Sequence, residues 1–247
     1  MKYKAHHQQQ MDYFDHEFAG MRTYRLEPWQ QSYISKIHND MLRDNFRKQT
    51  LLDIATGSGY VAVEYAKSGM KVIACDLSET AIANLQRVKK KFKLPNLRLI
   101  TCYAESIPLP DKSVDYIVAN AILEHIPDEA KTIREWKRLL KPNGRLLITV
   151  PIKFNYVWPF FWPLNYIHDR RIGHLRRYDL PDLQKKFGMR VKKVYYTGHI
   201  LKVIGVMVSL LVKINGFATL LETLDKPFEP FPYGASNISV IFEKGGK

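Results

Sequence analysis

Four short stretches of the 247-residue chain hold side chains able to do chemistry at useful spacings. In "LLDIATGSGY" (51–60), an apolar run carries Asp53 and passes into a small-residue turn with Ala55, Gly57 and Gly59. Glycine lets a ligand approach the backbone there, and the helix that follows presents free N–H groups. Asp53 sets the sign of that ligand. An anion at a strand's tip repels a diphosphate and attracts a cation, so a sulfonium bearing an ammonium fits better than a dinucleotide. This holds even though Gly57-x-Gly59-x-x-Ala62 loosely satisfies the dinucleotide fingerprint. Asp76 closes a second apolar run in "IACDLS", a place suited to sugar hydroxyls. "LEHI" sets Glu124 beside His125, and "GHLRRY" gathers His174, Arg176, Arg177 and Tyr178. Imidazole takes a hydroxyl proton near neutral pH, and guanidinium forks suit phosphate or carboxylate. One carboxylate–imidazole pair is a poor cage for a hard cation, so no metal is expected.

Hydrophobic periodicity supplies the elements that would carry these residues. Runs at 50–55, 71–76, 97–103, 114–120 and 145–150 read as strands. Helices are expected over "YVAVEYAKSG", "SETAIANLQRVKKKF" (N-cap Ser78) and "EAKTIREWKRLL". Such alternation makes a parallel sheet with helices on both faces, which binds ligands at the carboxyl ends of its strands. After Pro151 the pattern changes. "PIKFNYVWPFFWPLNYI" is crowded with aromatics and prolines and reads as an irregular segment with an adhesive surface. A short helix ("LPDLQKKFG"), a sixth strand ("VKKVYYTG"), an apolar helix ("HILKVIGVMVSLLVKI") and a seventh strand ("SNISVIFEK") follow. The expectation is a single α/β domain with a seven-stranded, mostly parallel sheet and an antiparallel last strand. Residues 1–48 form a helical cap, 49–151 the core, and 152–247 a substrate-side segment with an apolar insertion between strands six and seven.

Taken together, these motifs resemble the class I S-adenosylmethionine-dependent methyltransferases of type 11. "LLDIATGSGY" is similar to their first motif, with Ala55 where glycine is usual, and Asp76 matches their ribose-binding acid. "YAESIPLPDKSVDYIVANAILEHI" and "EWKRLLKPNGRLLITVP" are similar to their later stretches, so the resemblance covers about residues 50–150. It implies a Rossmann-like fold, S-adenosyl-L-methionine as donor and S-adenosyl-L-homocysteine as product. Carried over, Asp53, Ala55, Gly57 and Gly59 face the methionine end. Asp76 and Leu77 hold the ribose and one adenine face, Ala104 and Glu105 flank the adenine, and Asn120 lies under the methionyl portion. Tyr103 stands where aspartate is common. "YRLEPWQQSYI" resembles the segment before the core in quinone-biosynthesis O-methyltransferases, which implies that Arg25 reaches the donor carboxylate. In those enzymes "E-x-x-E-H" gathers a divalent metal, but Ala121 replaces the first glutamate here. "GHLRRY" resembles a segment of methyltransferases from polyprenyl-linked glycan pathways.

The resemblance makes Glu124, His125 and His174 the catalytic candidates, and Arg176, Arg177, Tyr178, Trp158 and Trp162 the acceptor-side ones. The formal charge is +14. Residues 151–247 hold fifteen Lys and Arg against seven Asp and Glu. Such a surface favours an anionic partner. Beside the aromatics and the apolar stretch Val203–Val212, flanked by Lys202 and Lys213, it points to a small amphipathic or lipid-like acceptor and an anionic membrane surface. No recognisable nucleic-acid module is present, so a specific nucleic acid is not expected, although RNA methylation is the alternative reading. A nicotinamide oxidoreductase is disfavoured by Asp53. Cys75 and Cys102 read as reduced core residues, and no secretory signal is apparent. That suits a cytoplasmic protein able to dock on the inner face of the membrane.

Overall fold

The computed structural model describes residues 2–20, 24–199, 201 and 217–246. Its strands are β1 (Thr50–Ile54), β2 (Lys71–Asp76), β3 (Leu97–Thr101), β4 (Val114–Asn120), β5 (Leu140–Pro151), β6 (Arg190–Thr197) and β7 (Asn237–Glu243). They form one sheet in the order β3-β2-β1-β4-β5-β7-β6. The first five pair in parallel, and β7 runs antiparallel to both β5 and β6. The expected seven-stranded sheet with a reversed last strand is what forms. Its order turns back between β1 and β4, so the crevice for a ligand lies at their carboxyl ends.

The helices are α1 (Lys2–Ala19), α2 (Pro28–Lys36), α3 (Tyr60–Lys67), α4 (Glu79–Phe92), α5 (Glu129–Leu139), α6 (Trp162–Ile172), α7 (Leu180–Phe187) and α8 (Phe217–Asp225). Alternation along the strands divides the core in two. Leu52, Ile54, Ile117 and Ile148 face α5 and α7 through Trp136, Leu183 and Phe187. Leu51, Val72, Val118 and Leu147 face α2, α3 and α4 through Tyr33, Val63 and Leu85. Helices thus cover both faces. Side-chain caps fix three entries: Ser78 Oγ accepts from the Ala81 N–H at 3.0 Å, Asp128 from the Lys131 N–H at 2.9 Å and Asp179 from the Asp182 N–H at 2.9 Å.

Several boundaries differ from the periodicity: β3 ends at Thr101 and not at 103, and β5 starts at Leu140 and not at 145. β1 stops at Ile54, because Ala55 turns into the left-handed region at φ +53°. The segment read as irregular after Pro151 holds two short 3-10 turns and then α6. Prolines there look like breakers, yet Pro159 and Pro163 open a turn and a helix, where a missing N–H costs nothing. The apolar stretch Val203–Val212, with Lys202 and Lys213, lies outside the described residues. Among the described residues no helix is long and apolar enough to cross a membrane.

Candidate active site

The turn after β1 is built by backbone demands. Gly57 and Gly59 take φ values of +50° and +74°, and the ideal Cβ of residue 59 would lie 2.0 Å from Leu85 Cδ2. Only glycine lets α4 pack that close. Ala55 and, after β4, Ala121 adopt the same region at +53° and +51° without being glycine. Each costs about 1–2 kcal/mol, and both line one cavity. Strain of this kind concentrates where a ligand needs a fixed backbone.

That cavity, of about 350 Å³, opens at the carboxyl ends of β1, β2 and β4. Ala55, Gly57, Asp76, Leu77, Ala104, Glu105, Asn120 and His125, all singled out from the sequence, line it. Asp76 Oδ2 accepts the Gly57 N–H at 2.8 Å and Oδ1 accepts the Ser78 N–H at 2.9 Å. Each oxygen keeps a lone pair for a ligand hydroxyl. Burial raises the Asp76 carboxyl, against the pull of those two N–H groups. The loop after β3 is held from behind, where the buried Trp136 Nε1–H donates to Ala104 O at 2.9 Å. Asn120 is fixed by donating to Tyr60 Oη at 3.0 Å.

Asp53 does not line the cavity. It is buried one layer beneath the turn, where Thr56 Oγ1 donates to its Oδ2 at 2.6 Å. Burial pushes its carboxyl up to about 7, the Thr56 hydrogen bond opposing. A cation above the turn would therefore meet a carboxylate held near its titration point, acting through the turn and not by contact. Gly59 also stands outside, as the left-handed cap of α3. Arg25 is exposed and borders a neighbouring cavity of about 370 Å³ with Arg87 and Lys91, behind the Gly57–Ser58 turn.

Helix α1 closes the cavity. His7, Gln10, Met11, Phe14 and Phe18 form its outer wall. His6 Nε2 meets His125 O at 2.7 Å, Gln10 Nε2 donates to Ile172 O at 3.1 Å, and Asn84 Nδ2 donates to Phe18 O at 2.8 Å. Ser78 Oγ donates to Asp15. Phe14 stands edge-on to His125, their centroids 5.7 Å apart. Tyr13 packs on Phe14 and is not part of the wall. Trp29, Thr56 and Tyr60 complete the lining without having been singled out from the sequence. Tyr60 directly follows the glycine turn, a signal that was there to use.

Behind His125 the fold assembles a cluster that the sequence spreads over some 50 residues. The His125 and His174 rings are 4.7 Å apart, and His174 Nε2 lies 3.7 Å from Glu124 Oε1. His174 Nδ1 meets Asp169 Oδ1 at 2.8 Å. Arg177 clamps the same carboxylate with Nε at 2.6 Å and a terminal nitrogen at 2.9 Å. Despite burial, those bonds from His174 and Arg177 hold the Asp169 carboxyl below its ordinary range. An ionised Asp169 keeps the proton of a neutral His174 on Nδ1 and leaves Nε2 as acceptor. Burial pushes Glu124 up to about 8, and burial with the nearby His174 and His6 pushes His125 down to about 3. Glu124 Oε2 and His125 Nδ1 are buried without a hydrogen-bond partner. One ligand atom from each of Glu124, His125 and His174 lies within 4.8 Å of the others. The sequence suggested a two-residue pair, whereas the fold adds a third group able to grip a cation.

The expected acceptor residues are placed differently. Arg176 donates to Ile126 O at 2.9 Å and Pro127 O at 3.1 Å. Besides its clamp on Asp169, Arg177 donates to Ile152 O at 2.9 Å. Buried Tyr178 donates to Glu129 Oε2 at 2.9 Å. Arg177 and Tyr178 spend their donors within the protein and Arg176 spends two of its own on carbonyls, so "GHLRRY" braces the histidine cluster. Trp162 is exposed, its Nε1–H on Val157 O at 3.0 Å, and Trp158 is half-buried against Tyr233. Asp169 gave no sequence signal, because nothing in "IHDRR" marks it as inward-facing.

Comparison with known proteins bears on this geometry. Residues 52–148 match a family described as "Methyltransferase domain". A "Probable S-adenosylmethionine-dependent methyltransferase" of Mycobacterium tuberculosis is 31% identical over 123 residues, half of this chain and 43% of that protein. The "Ubiquinone/menaquinone biosynthesis C-methyltransferase UbiE" of Cronobacter sakazakii is 29% identical over 134 residues, 52% of this chain and 51% of that one. The chain thus spans about half the length of the curated relatives it matches. Phosphoethanolamine N-methyltransferase 2 of Haemonchus contortus, solved with S-adenosyl-L-methionine, superposes with a TM-score of 0.65 at 19% identity. That superposition covers 94% of this chain and 56% of the other, and at such identity it speaks for the fold alone. The matched residues carry the strained turn, Asp76 and the sheet-side wall of the cavity, so it is this part of the chain that is similar to the methyltransferase domain.

Proposed function

We propose that the chain transfers a methyl group from S-adenosyl-L-methionine to a hydroxyl of a small amphipathic, lipid-like acceptor. The observation that carries this reading is His125 at the wall of the donor cavity, with the His174–Asp169 pair behind it. The donor's ribose hydroxyls suit the free lone pairs of Asp76, and its adenine suits the wall of Leu77, Ala104 and Glu105. The donor supplies the electrophilic methyl carbon. In-line displacement then needs an aligned acceptor in a water-poor space, which α1 encloses. His125, kept neutral, borders that space and aligns the acceptor. His174, oriented by Asp169, stands behind that ring and receives the hydroxyl proton by way of it as the oxygen–carbon bond forms and the carbon–sulfur bond breaks. The lipid-like character of the acceptor is supported by the aromatic surface beside the same sheet edge.

The test is incubation with isotope-labelled methyl donor and lipid extracts, followed by mass spectrometry of the labelled products. A methyl ether is expected, and His174→Ala should cut turnover while S-adenosylhomocysteine still binds in calorimetry. Label on a ring carbon would instead favour a second reading, C-methylation of a quinone-type ring, which the likeness to UbiE supports. Turnover lost to a chelator and restored by zinc would move the chemistry to the three-group set of Glu124, His125 and His174.

A further inference from the structure

The outer faces of residues 158–167 and 220–233 are apolar where a protein surface is ordinarily polar. Of the fourteen large apolar side chains exposed among the described residues, five lie in 160–167 and five in 220–233. Trp158 joins the two segments: its ring is 4.7 Å from that of Tyr233 and 6.0 Å from that of Phe160. Both segments adjoin the paired residues Pro151 and Asn237, at the sheet edge where the donor cavity opens.

Helix α6 is amphipathic in the reverse sense. Its inward stripe is polar, with Asn165 and Asp169 turned onto Arg177. Its outward residues are apolar, Trp162, Leu164, Tyr166 and Ile167 being 43, 55, 54 and 63% exposed. A helix laid on a core in water is arranged the other way. No described residue covers that area, and an apolar neighbour would remove it from water. Charge narrows the choice of neighbour. The described acidic side chains of these segments are engaged internally: Asp169 by His174 and Arg177, Asp225 by the His199 N–H, and Glu229 by Lys36. Arg170, Arg171 and Lys226 are exposed and have no carboxylate partner among the described residues. Arg170 Nη1 donates to the hydroxyl of Tyr166 at 3.0 Å. Aromatics and aliphatics rimmed by unpaired cations are the composition of a surface that sits in the head-group layer.

We propose that α6 and the 228–233 turn dock on an anionic lipid bilayer, presenting the cavity edge to the membrane from which the acceptor comes. Docking takes its purpose from the lipid-like acceptor reading, but its test involves no turnover, so either can fail without the other. The full chain is floated with phosphatidylcholine vesicles with and without phosphatidylglycerol. It is expected to float with the anionic vesicles at low salt and much less without them. Arg170→Gln with Arg171→Gln should weaken partitioning about twenty-five-fold, each cation being worth about five-fold. Phe160→Ser with Ile167→Ser and Phe231→Ser should abolish flotation while calorimetric binding of S-adenosylhomocysteine stays intact. Should that variant fail to fold, brominated lipid quenching of wild-type tryptophan fluorescence reads the same contact through Trp158 and Trp162. Absence of both flotation and quenching overturns the proposal. So does sedimentation as a dimer that the serine variant dissociates, since the patch would then serve a second copy of the chain.

Discussion

Replacing Asp53 by asparagine tests the electrostatics of the donor turn most directly. Burial lifts this carboxyl from its ordinary 3.8 to about 7 in the folded protein. The folded chain therefore binds a proton that the unfolded chain has released between those values, and stability from this group is lost as pH rises through 7. Worked from the two values, ionisation costs the folded state about 4 kcal/mol at pH 8 and under about 2 kcal/mol at pH 5. Asparagine keeps an acceptor for Thr56 but adds an N–H₂ group that needs partners, at about 1–3 kcal/mol whatever the pH. The pH-independent part cancels. Asp53→Asn should thus be about 2–3 kcal/mol more favourable, relative to wild type, at pH 8 than at pH 5. Guanidinium unfolding of both proteins at the two pH values measures this. The same variant should weaken S-adenosylmethionine about tenfold more than S-adenosylhomocysteine, since only the former carries a sulfonium. A difference in stability that does not move with pH would refute the reasoning, because a carboxyl titrating at its ordinary value has no buried charge to give the donor.

Three further substitutions follow from the same geometry. Ala55→Gly relieves a left-handed alanine and should stabilise by about 1 kcal/mol, raising Tm by about 2–4 °C in a calorimetric scan. Gly59→Ala drives a methyl into Leu85 at φ +74° and should cost about 2–4 kcal/mol, with loss of S-adenosylhomocysteine binding by calorimetry. Trp136→Phe removes the Nε1–H bond to Ala104 O, so a loss of about 1 kcal/mol in denaturant melts should accompany weaker S-adenosylhomocysteine binding. If binding is unchanged, the loop after β3 needs no such anchor.

Much of the donor half was legible in the chain because its signals are local. Asp53, the glycines and Asp76 sit at fixed offsets from strand ends, and period-two apolar runs announce those strands. The loop between β5 and β6 was not legible in this way. Its prolines suggested irregularity, yet they start a turn and a helix, and its arginines suggested a ligand fork, yet they hold Asp169 and the carbonyls of Ile126, Pro127 and Ile152. A guanidinium looks the same in sequence whether its donors meet a substrate or a backbone.

By itself, the order of residues determined the sheet, the donor turn and the side chains able to carry a proton. A strand's periodicity and a turn's steric demands depend on neighbours in the chain. Tertiary structure alone decided that Asp53 acts from beneath the turn, that His174 and Asp169 stand behind His125, and that α6 turns its apolar side outward. Each of these depends on which distant backbone comes to rest against a side chain, and that is settled by packing across the whole sheet.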